Sequence, residues 1–160
     1  MKIQKNISFY IMITFIVVII FTYLFLKNNV MISQSISYKD KLNIDEMVGF
    51  INIDSINLNR ALMQGLDNNY YFTHNYLRIK DNNGEVFLDT YGDLLNKNNS
   101  IIYAKKEIIN ALNINDIIKI LYLNNNLCYK VINNNKKFDL LIKVYDSKDI
   151  DNYYAKLIDC

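Results

Sequence analysis

The sequence of 160 residues contains no proline, no tryptophan, one histidine, two cysteines and four glycines. With so few glycines, the chain has no glycine-rich loop of the kind that binds phosphate. A single histidine, two cysteines far apart in the chain and scattered carboxylates do not give the ligand spacing of a metal site. The sequence therefore implies no metal and no cofactor.

The charges are almost balanced and form no block of either sign. The chain has 18 basic and 16 acidic residues, for a formal net charge of +2. A nucleic-acid-binding surface usually requires a cluster of basic residues. We therefore expect no nucleic-acid partner.

The longest uncharged apolar run extends from Ile7 to Leu26. A helix of this length can cross the roughly 30 Å of hydrocarbon in a bilayer, so the run predicts a single-pass transmembrane signal anchor. Lys2 and Lys5 precede it and Lys27 follows it. Together with the free amino group, this distribution favours a cytoplasmic N-terminus over residues 1–6 and an extracytoplasmic remainder.

A cleaved signal peptide is the competing interpretation of this run. The run is longer than the usual core of a signal peptide, and no Ala-x-Ala-like cleavage site follows it. These features favour the uncleaved anchor and a location in the cell membrane. Residues 27–46, which are polar with scattered apolar positions, are interpreted as a partly helical spacer without chemistry of their own.

From Met47 onward, the pattern changes to short apolar runs that are separated by turn signals. Seven strands are predicted: Met47–Ile53, Leu58–Gln64, Glu85–Asp89, Ser100–Ala104, Asp116–Leu123, Leu127–Asn133 and Phe138–Tyr145. So many short strands predict a mainly β domain, a barrel or a sandwich, over residues 47–160. One interlude, Lys105 to Asn113, is predicted to be helical because three of its apolar residues are spaced to share a face.

Two segments of this region carry a resemblance to a known family. Val48 to Tyr76 contains Gln-Gly-Leu-Asp-Asn-Asn-Tyr-Tyr and His-Asn-Tyr, and Asn83 to Glu107 contains Gly-Glu-Val-Phe-Leu-Asp and Ser-Ile-Ile-Tyr-Ala. In this order, the motifs resemble the first half of a sortase domain, nearest to class B. The resemblance implies a sortase-type β-barrel, tethered to the outside of a Gram-positive cell by an N-terminal anchor.

The resemblance also implies a cysteine transpeptidase mechanism. A thiolate attacks the carbonyl of a sorting signal such as Leu-Pro-x-Thr-Gly, a histidine protonates the leaving amine, and an arginine supports the oxyanion. The family's histidine follows Tyr-Gly at a strand end, whereas Tyr103 is followed here by Ala104 and Lys105. By this resemblance, Lys105 replaces the catalytic histidine.

The only histidine, His74, lies in the segment that resembles the family's structural His-Asn-Tyr. We interpret it as structural, and the alternative is a histidine that moves into the site. The neighbouring aromatic residues Tyr70, Tyr71, Phe72 and Tyr76 are expected to be core residues, since β-barrels bury many such side chains. The alternative is that they hold a peptide.

The segment from Tyr154 to Cys160 resembles the family's Thr-Leu-x-Thr-Cys strand end, which makes Cys160 the match for the nucleophile. By this alignment, the segment that would supply the arginine and the closing strand is missing. Arg60 lies where no family role attaches to it. The expected fold is therefore an incomplete sortase-type β-barrel with short helices, which lacks the C-terminal strand and exposes an unpaired edge.

The surroundings of Cys160 disfavour catalysis. Asp159 and the terminal carboxylate oppose formation of a thiolate. Lys105 holds its proton too tightly to serve as a good acid near neutral pH unless it is desolvated. Cys128 is interpreted as a small buried hydrophobe, with a disulfide to Cys160 as the alternative outside the cell.

These features predict a membrane-anchored, extracytoplasmic sortase-like protein that is catalytically impaired. Its expected partners are sorting-signal peptides or cell-wall proteins. The alternative is a truncated class B-like cysteine transpeptidase that attaches sorting-signal proteins to the cell wall through Cys160. A third interpretation is a small anchored β-domain with a purely structural role.

Overall fold

The computed structural model describes residues 13–23, 45–96, 99–109, 111–133, 137–146 and 149–160. The chain divides into two compact units, Met1–Tyr38 and Lys39–Cys160. In the first unit, residues 13–23 are helical. Within the described part of the chain, no helix is long and apolar enough to cross a membrane.

The predicted anchor from Ile7 to Leu26 extends at both ends beyond the residues that the structure describes. The predicted cytoplasmic segment, residues 1–6, and all but the last two residues of the predicted spacer also lie outside them. The anchor, its orientation and the spacer stay predictions.

The second unit contains eight strands, which are β1 (Met47–Ile53), β2 (Leu58–Met63), β3 (Val86–Leu88), β4 (Ser100–Lys105), β5 (Ile117–Tyr122), β6 (Asn125–Ile132), β7 (Leu140–Tyr145) and β8 (Ile150–Ile158). Two short 3₁₀ helices span Asp54–Ile56 and Tyr70–Phe72. Around the sheet, the strands follow the order β1-β2-β3-β4-β7-β8-β6-β5, and β5 pairs again with β1. The mainly β class with short helices is confirmed.

The barrel is closed, so the expectation of an incomplete barrel with a missing last strand is wrong. The nine-residue strand β8 pairs with β7 from Ile150 to Ala155 and with β6 from Tyr154 to Ile158. It therefore fills the gap between these two strands. Because every one of the eight strands has two neighbours, none of them forms the unpaired edge that was expected.

All seven predicted strands are present, but the predicted helix from Lys105 to Asn113 is wrong. Strand β4 continues through Lys105, and the backbone N–H groups of Ile108 and Ile109 donate to its carbonyl in a turn. Ile108, Ile109 and Leu112 are nevertheless buried in the main core. Their spacing therefore reflects packing of a turn against the core rather than a helical face.

Two hydrophobic clusters lie on opposite faces of the sheet. Since side chains alternate across a strand, Ile102 and Ala104 of β4 belong to the main core, whereas Tyr103 between them packs against the second cluster. The second cluster is formed by Met47, Ala61, Met63, Tyr71 and Phe87. Partly buried Tyr70, Phe72 and Tyr76 pack against it.

Candidate functional site

Strands β4 and β7 run parallel, so their C-terminal ends lie side by side. In this register Tyr103 is opposite Lys143, and Lys105 is opposite Tyr145. Because alternate residues of a strand point to the same face, these four side chains share one face of the sheet, outside the main core. Two lysines and two tyrosines thus alternate over a small area at the ends of neighbouring strands.

A cavity of about 380 Å³ opens over this face. Its lining includes Phe72, Tyr103, Lys105, Lys143, Tyr145 and Asp146. Phe72 meets Tyr145 edge to face with a ring-centroid distance of 4.5 Å, and Tyr103 with a distance of 6.0 Å. The cavity therefore has aromatic walls and carries its charges on the two lysines and the aspartate.

The two lysines of the cavity have different contacts. The Lys105 ammonium donates a hydrogen bond to the backbone carbonyl of Asn82. The Lys143 Nζ lies 5.6 Å from the centroid of the Tyr103 ring, within the range of a cation–π contact. The ion pairs found among the described residues involve neither lysine.

Tyr145 is the residue that faces Lys105 across the two strand ends. Its hydroxyl oxygen is buried and has no hydrogen-bond partner among the described residues. Burial, and then the charge of Glu107, raises the pKa of Tyr145 well above its ordinary value of 10.0. The phenol is therefore neutral near pH 7 and supplies no anionic nucleophile.

Cys160 lies far from Lys105, so the expectation that the two residues share a site is wrong. Lys105 is opposite Tyr145, and Tyr145 is opposite Ile150, the first residue of β8. Cys160 comes two residues after the last residue of the same strand. At about 3.3 Å per residue, the length of β8 places Cys160 roughly 30 Å from the strand end that carries Lys105.

Cys160 is joined to Cys128 by a disulfide, with the two Cα atoms 5.2 Å apart. This was the alternative for Cys128. The pairing follows from the register, because Cys128 of β6 is opposite Ile158 of β8. A disulfide sulfur carries no thiol proton and is not a thiolate, so Cys160 in this form is not a nucleophile.

The contacts of His74 support a structural role for this residue. Its ring stacks on Tyr70 with a centroid distance of 4.2 Å. The Nδ1 atom lies 3.0 Å from the carbonyl oxygen of Tyr70, and since a carbonyl only accepts, Nδ1 carries the proton of this bond. His74 also forms a β-bridge with Lys80. These contacts explain the residue without a place in the cavity.

The two arginines of the chain form ion pairs away from the cavity. Arg60 lies 3.9 Å from Glu85, whose side chain is fully buried and whose pKa is raised by that burial. Arg78 lies 3.5 Å from Glu46. Glu46 also accepts a hydrogen bond of 2.5 Å from the hydroxyl of Tyr71. Both arginines are thus paired with carboxylates outside the lining of the cavity.

Sequence reasoning missed Lys143, Tyr145 and Asp146 as residues of the site. The end of the last predicted strand, Phe138–Tyr145, gave a usable signal, since it places Tyr145 at a strand end, as the strand Ser100–Ala104 does for Lys105. The missing information was the pairing, because β4 and β7 are neighbours in the sheet although 34 residues, including strands β5 and β6, separate Lys105 from Leu140 in the chain.

No family model matches the sequence, and no curated protein matches it. Similarity is found among solved structures. The fold is that of the sortases, and the solved structures that resemble it include sortases of class B.

Three of these structures illustrate the likeness. Sortase B from Clostridium perfringens has a TM-score of 0.59 at 15% identity, covering 76% of this chain and 100% of the other. Sortase B from Bacillus anthracis in complex with AAEK1 has a TM-score of 0.60 at 18% identity, with coverages of 77% and 84%. The Staphylococcus aureus sortase B–substrate complex has a TM-score of 0.58 at 16% identity, with coverages of 75% and 84%.

Proposed function

We propose that the protein is a catalytically inactive sortase-like protein that binds peptides of the sorting-signal type without cleaving them. The observation that carries this proposal is the identity of the residues that line the cavity at the ends of β4 and β7. A cysteine transpeptidase needs a thiol and an acid in contact. The described residues that line the cavity present an ammonium, Lys105, and a neutral phenol, Tyr145, at these two strand ends.

The cysteines support the same conclusion. Both cysteines of the chain lie at the other end of β8 and are bonded to each other. Even after reduction, Cys160 would have no acid within reach at Lys105, because β8 separates them. The alternative of an active transpeptidase that works through Cys160 loses its basis, since that alternative assumed a missing closing strand, and β8 is that strand.

Peptide binding is supported by the form of the cavity and by the likeness to substrate-bound sortases. A cavity of about 380 Å³ is within the size range of sites that bind small ligands or short peptide segments. One of the similar structures is a sortase B–substrate complex. At low identity this likeness concerns the fold, so peptide binding by this chain is a proposal.

We also propose that the domain is extracytoplasmic and is anchored by the segment from Ile7 to Leu26. The length and apolarity of the segment support the anchor. The Cys128–Cys160 disulfide supports the location, because disulfides persist outside the cell and are rare in the cytosol. Sorting-signal proteins or other cell-wall proteins are the partners that follow from this location.

The test is a comparison of binding and turnover. The full-length chain in detergent micelles is incubated with peptides of the Leu-Pro-x-Thr-Gly type, and chromatography follows cleavage while calorimetry follows binding. Staphylococcus aureus sortase B with its own substrate is the positive control for turnover. We expect binding without cleavage, and cleavage by the unmodified chain would contradict the proposal.

Lys105→His tests whether the protein is inactive only because it lacks the histidine acid, or because it also lacks the nucleophile. The substitution restores an imidazole at the end of β4, but no thiol lies beside it. We therefore expect no cleavage by this variant either. Cleavage by Lys105→His would mean that another group in the chain acts as the nucleophile.

A further inference from the structure

The charges of the cavity point to a particular chemistry in its ligand. We propose that the cavity binds a peptide carboxylate, carried beside an apolar side chain, through the ammonium groups of Lys105 and Lys143. This inference rests on the proposed function in that both place a peptide in the same cavity. It adds which group of the peptide is recognised and which residues recognise it.

The two ammonium groups are close enough to act on one ligand. Lys105 and Lys143 lie on neighbouring parallel strands, two residues apart in register. With strands about 4.8 Å apart and about 6.6 Å between alternate residues, their Cα atoms are roughly 8 Å apart. The flexible lysine side chains can therefore converge on a single carboxylate.

Three carboxylates on or near the cavity have contacts with groups other than the two lysines. The Asp146 carboxylate accepts the backbone N–H of Asp149 at 2.7 Å. Asp89 accepts from the side-chain amide of Asn68 at 2.8 Å. Asp151 lies 3.5 Å from Lys106. Among the described residues, no ion pair joins either cavity lysine to a carboxylate, and Lys105 uses a neutral carbonyl as its acceptor.

The aromatic walls account for the apolar part of the ligand. Phe72, Tyr103 and Tyr145 pack edge to face around the cavity, and Ile150 adds an aliphatic side chain that is 66% exposed. An apolar side chain placed here removes their surface from water. A carboxylate next to that side chain would then face the lysines in surroundings that water screens less than an open surface.

The experiment uses isothermal titration calorimetry to measure the affinity of three peptides for the full-length chain in nonionic detergent. The first peptide is acetyl-Gly-Ser-Ala-Leu with a free carboxyl terminus, and the second is the same peptide with a terminal amide. The third, acetyl-Gly-Ser-Glu-Leu-amide, carries its carboxylate on a side chain. We expect the first to bind on the order of tenfold more tightly than the second, as for a charge-assisted contact that is partly exposed. Comparison of the first and third peptides distinguishes a terminal from a side-chain carboxylate.

Lysine variants identify the groups responsible. Lys143→Gln and Lys105→Gln should each reduce the preference for acid over amide several-fold, and the affinity for the amide should not change. Lys156→Gln, an exposed position on β8, removes the same charge away from the cavity and is the matched control. Thermal unfolding of each variant confirms that it is folded.

Equal affinity of all three peptides would overturn the inference, as would a loss of preference in Lys156→Gln as large as the loss in the two cavity variants. None of the three peptides contains a sorting signal, so their binding does not depend on turnover. Cleavage of a sorting-signal peptide would overturn the proposed function while leaving the carboxylate preference intact. Peptide binding that does not depend on a carboxylate would overturn the inference about the two lysines and leave the proposed function intact.

Discussion

The two ends of β8 differ in the contacts that surround them. At the carboxyl end, Cys160 is bonded covalently to Cys128 of β6. At the amino end, Ile150 borders a cavity that contains a buried hydroxyl without a partner and two lysines without an acidic partner among the described residues. One end thus adds to stability, and the other retains groups that reduce it.

The contrast between the two ends of β8 indicates which part of the domain is functional. Cysteine is the residue that the resemblance makes important, yet the cysteines lie at the end that is tied down. Polar groups that are imperfectly satisfied cost stability and tend to be retained at functional sites. The cavity end therefore carries the evidence of function, although it has no cysteine.

Removal of the disulfide should have the largest effect on stability. It closes a loop with a sequence separation of 32, for which chain entropy predicts a loss of about 3 to 4 kcal/mol in Cys128→Ser/Cys160→Ser. The midpoint of thermal unfolding should fall by about 10 °C or more. Urea unfolding monitored by tyrosine fluorescence measures the change.

The control for this prediction is a count of thiols in the denatured, unreduced chain. We expect none to react with an alkylating reagent. Two reactive thiols, or a double serine variant as stable as the unmodified chain, would remove the contrast between the two ends of β8.

Tyr145→Phe should have a smaller effect of the opposite sign. It removes a buried hydroxyl that has no partner among the described residues, so the free energy of unfolding should rise by about 1 kcal/mol. Tyr103→Phe is the matched control, because the Tyr103 hydroxyl donates to Asp89 at 3.4 Å and its loss should not stabilise the domain. A loss of stability in Tyr145→Phe would show that its hydroxyl has a partner after all.

Ionisation of Glu85 should have a still smaller effect on the free energy of unfolding, and this effect should depend on pH. Burial raises its pKa above 4.5 in the folded state, against the lowering effect of two backbone N–H groups and Arg60. A raised pKa means that the contribution to stability is complete below pH 4.5 and is lost as the pH rises through the folded-state pKa. We expect a small loss, because the lowering effects offset part of the effect of burial.

Glu85→Gln should remove this component of the pH dependence. Unfolding in urea at pH values from 4 to 8 compares the two proteins. If the free energy of unfolding of the unmodified chain rises over this range relative to Glu85→Gln, the sign of the pKa shift is wrong.

The sequence allowed seven of the eight strands to be predicted, because their apolar runs are bounded by turn residues. Strand β8 was missed because Asp151 and Asn152 are residues that strands disfavour, and its burial alternates only weakly. Its last residues were identified only as a strand end. That error produced both the incomplete barrel and the alignment of Cys160 with a nucleophile.

The site was predictable only in part for a related reason. The position of Lys105 at a strand end follows from the local apolar run Ser100–Ala104. The identity of the residue beside it depends on which strand pairs with β4, and this pairing is set by contacts between residues distant in the chain. Local pattern could not show that Tyr145, rather than Cys160, is the neighbour of Lys105.

We infer that no working nucleophile lies at the ends of β4 and β7 in this sortase-type fold. Intact-mass spectrometry of the full-length chain, reduced and then incubated with a sorting-signal peptide, tests it most directly, because reduction makes both thiols available. We expect an unchanged protein mass and an intact peptide, since Cys160 lies at the far end of β8 from Lys105. An acyl adduct that maps to Cys160 would contradict it.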